Sequence, residues 1–139
     1  MQYVSDTLIH SGKYSSVYVA LRPIKSRAVA VKIYQGAYQK YFNNELAIYT
    51  LPHMRHDNIL SFIGTHTEVR ADGECLHQLL VAHMSLGSLN SYLKAHSVDW
   101  TVYMRMSRAI AAGLAFLHEE VERDGIFSFY NRVFPLLCK

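Results

Sequence analysis

From residue 28 to 34 the chain alternates between two kinds of side chain. Val29, Val31 and Ile33 fall on one face of an extended segment, and Ala28, Ala30 and Lys32 on the other. The β-branched content makes this a buried strand. Similar short runs predict strands over Thr7–Ser11, Ser16–Leu21, Leu60–Thr67 and Leu76–Ala82. The period then changes. Phe42, Leu46 and Tyr49 recur at helical spacing and predict a helix over Tyr38–Thr50, which Pro52 stops. Helices are also expected over Ser88–His96 and Asp99–Glu119. In the second, Asp99 is a good N-cap, and Met106, Ile110, Leu114 and Leu117 share one face. Between the fourth and fifth strands, Val69 to Glu74 is polar, and Asp72-Gly73 marks a hairpin turn. These elements imply an α+β fold: a twisted five-stranded sheet with one helix, then a mainly helical segment, with Gly87 near the junction.

Lys32 is the position where this pattern carries chemistry. An ammonium on an inward or cleft face needs an anionic partner, because an unpaired buried charge is expensive. A surface lysine on an edge strand is an equally good reading of Val-Ala-Val-Lys taken alone. The next helix supplies a candidate anion: Glu45 lies close to the face of Tyr41, Ile48 and Tyr49. Alone it would be a solvated helix charge. After a strand lysine at this distance, an ion pair is the favoured reading.

Composition narrows the field. The chain has 139 residues, half of them hydrophobic and 18% charged, which fits one globular domain rather than a disordered segment. The net charge of +3 is modest and the basic residues are scattered, so no nucleic-acid footprint is expected. Two cysteines, Cys75 and Cys138, are too few for a disulfide framework and read as free thiols. The eight histidines show no metal-ligand spacing. No signal peptide and no apolar run long enough to cross a bilayer is expected.

Several motifs then fall in a familiar order. Leu51-Pro52-His53-Met54-Arg55-His56-Asp57-Asn58-Ile59-Leu60-Ser61-Phe62-Ile63-Gly64 resembles the segment joining helix C to the fourth strand in receptor serine/threonine kinases of the TGF-β family. Gly87-Ser88-Leu89-Asn90-Ser91-Tyr92-Leu93-Lys94-Ala95 resembles the start of that family's helix D, and Ala112 to Glu120 the end of its helix E. Leu51-Pro52-His53-Met54 and Leu93-Lys94-Ala95 point to the type II receptors, of the activin type II kind. The resemblance runs from about Leu8 to Gly125. It implies a protein-kinase-like amino-terminal lobe, a five-stranded antiparallel sheet plus helix C, followed by the first helices of the carboxy-terminal lobe. Residues 1–125 would be a partial kinase domain and residues 126–139 a divergent apolar tail.

The resemblance also implies a nucleotide site. In kinases, the strand lysine contacts the α- and β-phosphates of ATP and a helix C glutamate orients it, the roles that would fall to Lys32 and Glu45. The loop His10-Ser11-Gly12-Lys13-Tyr14-Ser15-Ser16-Val17 stands where the family has G-x-G-x-x-G-x-V. Only the middle glycine, Gly12, is kept, which puts closure of the loop over phosphate in doubt. Val17 and Ala30 would pack on the adenine ring. Val81 falls at the gatekeeper position, and the Ala82 carbonyl and Met84 N–H would read the adenine edge. Ser88 falls where the ribose hydroxyl is bound, with a helix N-cap as the plainer reading. Tyr49 would join the hydrophobic column between the lobes.

The last residues depart from the family. After helix E the pattern continues to H-R-D-x-K-x-x-N and later to D-F-G, which supply the catalytic aspartate and the Mg²⁺ or Mn²⁺ ligands. Here Glu122-Arg123-Asp124-Gly125 is followed by Ile126 to Lys139, in which none of these motifs occurs. Neither Asp124 nor Asn131 has the context to replace them. The expectation is therefore a truncated kinase domain, from the cytoplasmic portion of a single-pass membrane receptor. Its parent would bind ATP and phosphorylate type I TGF-β-family receptor kinases, and would bind a TGF-β-, activin- or BMP-type ligand through an ectodomain outside this sequence. The alternative is a catalytically dead isoform acting as an interaction module or decoy.

Overall fold

The computed structural model describes residues 4–20 and 28–123. Strands β1 (Val4–Ser11) and β2 (Ser16–Ala20) lead into β3 (Val29–Gln35). A 3₁₀ turn over Gly36–Tyr38 opens helix α1 (Gln39–Tyr49). Then follow β4 (Phe62–Val69), β5 (Cys75–Ala82), α2 (Leu89–Ala95) and α3 (Trp100–Arg123). The strands form one sheet in the order β1-β2-β3-β5-β4, with every neighbouring pair antiparallel.

The central strands hold the core. Val29, Val31 and Leu80 form a buried cluster on one face of the sheet, with Ala20, Ile33 and Ile63 packed against it. Full burial of such a side chain contributes about 1.5–3 kcal/mol relative to leaving it exposed. The other face carries Lys32 opposite Leu79, and Tyr34 opposite His77. It is covered by α1, whose Phe42 stacks on His77 at 5.0 Å and meets Tyr34 edge-on at 5.9 Å. Continuous burial of β5 from Leu76 to Val81 follows from this central, two-sided position.

Element boundaries moved where local hydrogen bonding decided them. β4 begins at Phe62 rather than Leu60 and continues to Val69, because the turn beyond it is tight. Arg70 N–H donates to Glu74 O and Gly73 N–H to Arg70 O, both at 2.9 Å. Gly73 adopts φ +84°, the left-handed conformation glycine tolerates. Asp72 Oδ1 accepts from the Glu74 N–H at 2.9 Å. α1 starts one residue later than the expected Tyr38, which belongs to the 3₁₀ turn. It ends before Pro52, where the Thr50 hydroxyl donates to Leu46 O at 2.9 Å. Leu21 at the end of the expected second strand, and the tail over residues 126–139 with Cys138, lie outside the described residues.

The described residues belong to two compact units. One, Met1–Pro52 with Ser61–His83, contains the sheet and α1. The other, His53–Leu60 with Met84–Lys139, contains α2 and α3. Within it His56 stacks on Phe116 of α3 at 4.9 Å and its Nδ1 accepts the Asn58 N–H at 3.1 Å. Asp99 caps α3, its Oδ1 accepting the Val102 N–H at 2.8 Å. No helix among the described residues is long and apolar enough to cross a membrane.

Candidate functional site

Strand alternation puts Ala30, Lys32 and Tyr34 on the face that looks at α1. Helical spacing puts Phe42, Glu45 and Tyr49 on the face of α1 turned to the sheet. Lys32 Nζ donates to Glu45 Oε2 at 2.7 Å, with the two side chains 29% and 23% exposed. The strand lysine therefore faces the helix and is paired. The Tyr34 hydroxyl donates to the same Glu45 oxygen, and Lys32 Nζ lies 5.4 Å from the centre of the Tyr34 ring.

Burial, and after it the hydrogen bond to and charge of Glu45, hold the Tyr34 phenol far above its ordinary pKa; Ser15 opposes this weakly. The phenol thus remains a donor. Tyr49 is shifted the same way, first by burial and then by Glu45. Its ring stacks on Phe62 at 5.4 Å, while its buried hydroxyl has no partner among the described residues.

The loop between β1 and β2 is closed by its own backbone: Gly12 N–H donates to Ser15 O at 2.9 Å. A Cβ at residue 12 would stand 3.3 Å from that oxygen, a close approach that favours the glycine kept there. The loop tip is held by aromatic contacts. Tyr14 stacks on Tyr41 of α1 at 4.0 Å and 13°, and meets Tyr38 edge-on at 5.6 Å.

The other expected site residues fall as follows. Val17 is opposite Lys32 across β2 and β3, and Ala30 is opposite Val81 across β3 and β5. All four thus lie on one face of one sheet. Ala30 and Val81 are buried. Ala82 N–H donates to Ser61 O at 2.9 Å, which leaves its carbonyl as the group in question. Met84, in the second unit, accepts the Gly87 N–H at 3.1 Å in a turn where Gly87 has φ +75°. Ser88 is the N-cap of α2, its hydroxyl accepting from the Ser91 N–H at 3.1 Å. The plainer expectation for Ser88 is thus the one observed in its hydrogen bonding.

A groove of about 560 Å³ opens on the opposite face of the sheet, lined among others by Ser16, Tyr18, Ile33, Glu68 and Gln78. By register these residues alternate with Val17, Lys32 and Leu79, so the groove is not the lysine's site. Among the described residues no cluster of His, Cys, Asp or Glu could hold a metal. The described residues do not fit a Mg²⁺ or Mn²⁺ site.

Two features were missed in the sequence. Tyr34 was signalled by the same alternation that placed Lys32, two residues on and so on the same face. The Tyr14–Tyr38–Tyr41 contact joins a loop to a helix start, and no periodicity links them.

Comparison with known proteins agrees with this geometry. The chain matches the profile described as protein tyrosine and serine/threonine kinase over residues 4–122. It is 37% identical to activin receptor type-2A of Gallus gallus and 36% identical to that of Homo sapiens, in each case over 82% of this chain and 22% of the receptor. It is 31% identical to the anti-Muellerian hormone type-2 receptor of Oryctolagus cuniculus over 89% of this chain and 21% of that receptor. The chain thus spans about a fifth of the length of these relatives. A five-stranded antiparallel sheet, a helix laid on one face, a strand lysine bonded to a helix glutamate and this match lead to one conclusion: the chain belongs to the protein tyrosine and serine/threonine kinase family, and its likeness within that family is to the type II receptors.

Proposed function

We propose that these residues are the nucleotide-binding lobe, and the beginning of the catalytic lobe, of a type II receptor serine/threonine kinase. The observation that carries this reading is the 2.7 Å bond between Lys32 Nζ and Glu45 Oε2. An ammonium has three donors. Glu45 takes one and fixes its direction, leaving the others for the α- and β-phosphate oxygens of ATP. Val17, Ala30 and Val81 would enclose the adenine, the Ala82 carbonyl and Met84 N–H would bond its edge, and Gly12 would let the loop backbone approach the phosphates. Ser88 would reach the ribose only with the hydrogen-bonding capacity its capping role leaves.

In the longer protein the reaction would be transfer of the γ-phosphoryl of ATP to serine or threonine of a type I receptor, on the cytoplasmic side of a membrane. The catalytic aspartate and metal ligands are contributed by motifs that residues 1–139 do not contain. The 139-residue polypeptide by itself would therefore transfer no phosphate. The second reading, a catalytically dead interaction module, rests on that same departure over residues 126–139.

A lobe fusion tests the proposal. Residues 1–119 are joined to the remaining catalytic lobe of a type II activin receptor, and transfer of labelled phosphate to a type I receptor cytoplasmic segment is measured. Activity above a blank, lost in Lys32→Met, is the expected result. A folded but inactive fusion, or activity that survives Lys32→Met, would overturn the enzyme reading.

A further inference from the structure

Glu45 Oε2 accepts two hydrogen bonds, one from Lys32 and one from the Tyr34 hydroxyl. The second bond changes what holds the ion pair together. A lysine side chain rotates about four bonds, and this one is 29% exposed, so it can leave Glu45 for water or for a phosphate. Tyr34 cannot. It is 2% exposed, its ring lies against Phe42, and its backbone is paired on β3 to His77 of β5. It has two side-chain torsions, both fixed by packing. Its hydroxyl is thus a rigid donor at the point where the Glu45 carboxylate must sit to meet Lys32.

We propose that Tyr34 is a positioning residue: its hydroxyl holds the Glu45 carboxylate against β3, and so keeps Lys32 in the paired state before any nucleotide arrives. This rests on the reading of Lys32 as the phosphate-orienting lysine and adds to it a tether of α1 that does not depend on the lysine. When phosphates draw the ammonium away, Glu45 keeps one bond to the sheet and α1 stays in place. All the groups involved belong to the unit that contains the sheet. Among the described residues, Tyr49, one helical turn on, also feels the Glu45 charge, and the Ser15 hydroxyl acts on Tyr34.

The experiment is competitive acetylation of the 139-residue chain without nucleotide, with the rate at each lysine read by mass spectrometry. Lys13, Lys40 and Lys94 serve as internal standards. Tyr34→Phe keeps the ring and its packing and removes only the donor. It should raise acetylation of Lys32 about tenfold, as expected for losing a bond to a charged group that is partly hydrated. The standards should stay within about twofold of their starting rates. Glu45→Gln should raise Lys32 similarly, and adding Tyr34→Phe to Glu45→Gln should change it no further, because the hydroxyl acts only through the carboxylate.

A Lys32 rate unchanged in Tyr34→Phe would overturn the proposal. So would an equal increase on the Glu45→Gln background, a parallel rise at every lysine, or loss of the circular-dichroism spectrum in Tyr34→Phe, since each makes the phenol a general stabiliser. The readout uses neither ATP nor phosphotransfer, so the nucleotide reading and this one fail separately.

Discussion

The Lys32–Glu45 pair should contribute an intermediate amount to stability, and its value follows from its surroundings. Exposed pairs contribute about 0–1 kcal/mol, and breaking a buried pair costs about 3–5 kcal/mol because a charge is stranded. Here the side chains are 29% and 23% exposed, so either charge left behind can hydrate. Lys32→Met leaves Glu45 bonded to Tyr34, and Glu45→Gln leaves Lys32 an uncharged acceptor. Neither variant strands a charge in a dry site. A double-mutant cycle on these substitutions, measured by urea unfolding, should therefore give a coupling energy of about 1–2 kcal/mol. Raising the salt concentration to about 1 M should reduce it only in part, because partly buried pairs are incompletely screened. A coupling below about 0.3 kcal/mol would mean that the pair is a surface contact. One near 4 kcal/mol would mean that Tyr34 and water do not relieve the remaining charge.

Alkaline unfolding should report the buried tyrosines. Tyr34 and Tyr49 have folded pKa values raised above the ordinary 10.0. The folded state therefore holds protons that the unfolded state has released. Their stabilisation is fully present below pH 10.0 and is lost as pH rises from there towards the folded values. Each contributes a slope of about 1.4 kcal/mol per pH unit in that range, so Tyr34→Phe should flatten the pH dependence of urea midpoints by about one proton; an unchanged slope would contradict the assignment. Under the proposed reading, MgATP should bind the 139-residue chain weakly, because the catalytic-loop and D-F-G motifs that hold the metal do not occur in these residues. Calorimetry showing affinity tighter than about 1 μM, lost in Lys32→Met, would show a more complete site than the residues suggest.

The sheet and its lysine were legible because their signals are local. Alternation over Val29 to Ile33 fixed which side chains share a face, and helical spacing of Phe42, Leu46 and Tyr49 fixed which side of α1 turns inward. Those two periods bring Lys32 and Glu45 to each other without any knowledge of the turn between them. Burial along β5 was not legible, because His77 and Gln78 are polar and are buried only by the strand's central place in the sheet. The shift of β4 by two residues was not legible, because Val69 looks like turn material until the Arg70–Glu74 bonds close the turn without it. Tyr34 lay on the right face, but an aromatic residue in a strand is ordinarily packing, and nothing in the spacing says that its hydroxyl reaches a carboxylate. The seating of Tyr14 on Tyr41 depends on the loop path, which Gly12 and Ser15 set through one backbone bond. Ser88 was legible as a helix cap, and its hydrogen bonding is that of the cap.

Covalent labelling decides whether Lys32 is the lysine that meets the phosphates of ATP. An acyl-phosphate derivative of ATP is reacted with the lobe fusion, and the acylated lysines are mapped by mass spectrometry with and without excess MgATP. Lys32 should carry most of the label, MgATP should protect it, and Glu45→Gln should lower the protection. Equal label on Lys13, Lys40 and Lys94, with no protection of Lys32 by MgATP, would contradict it.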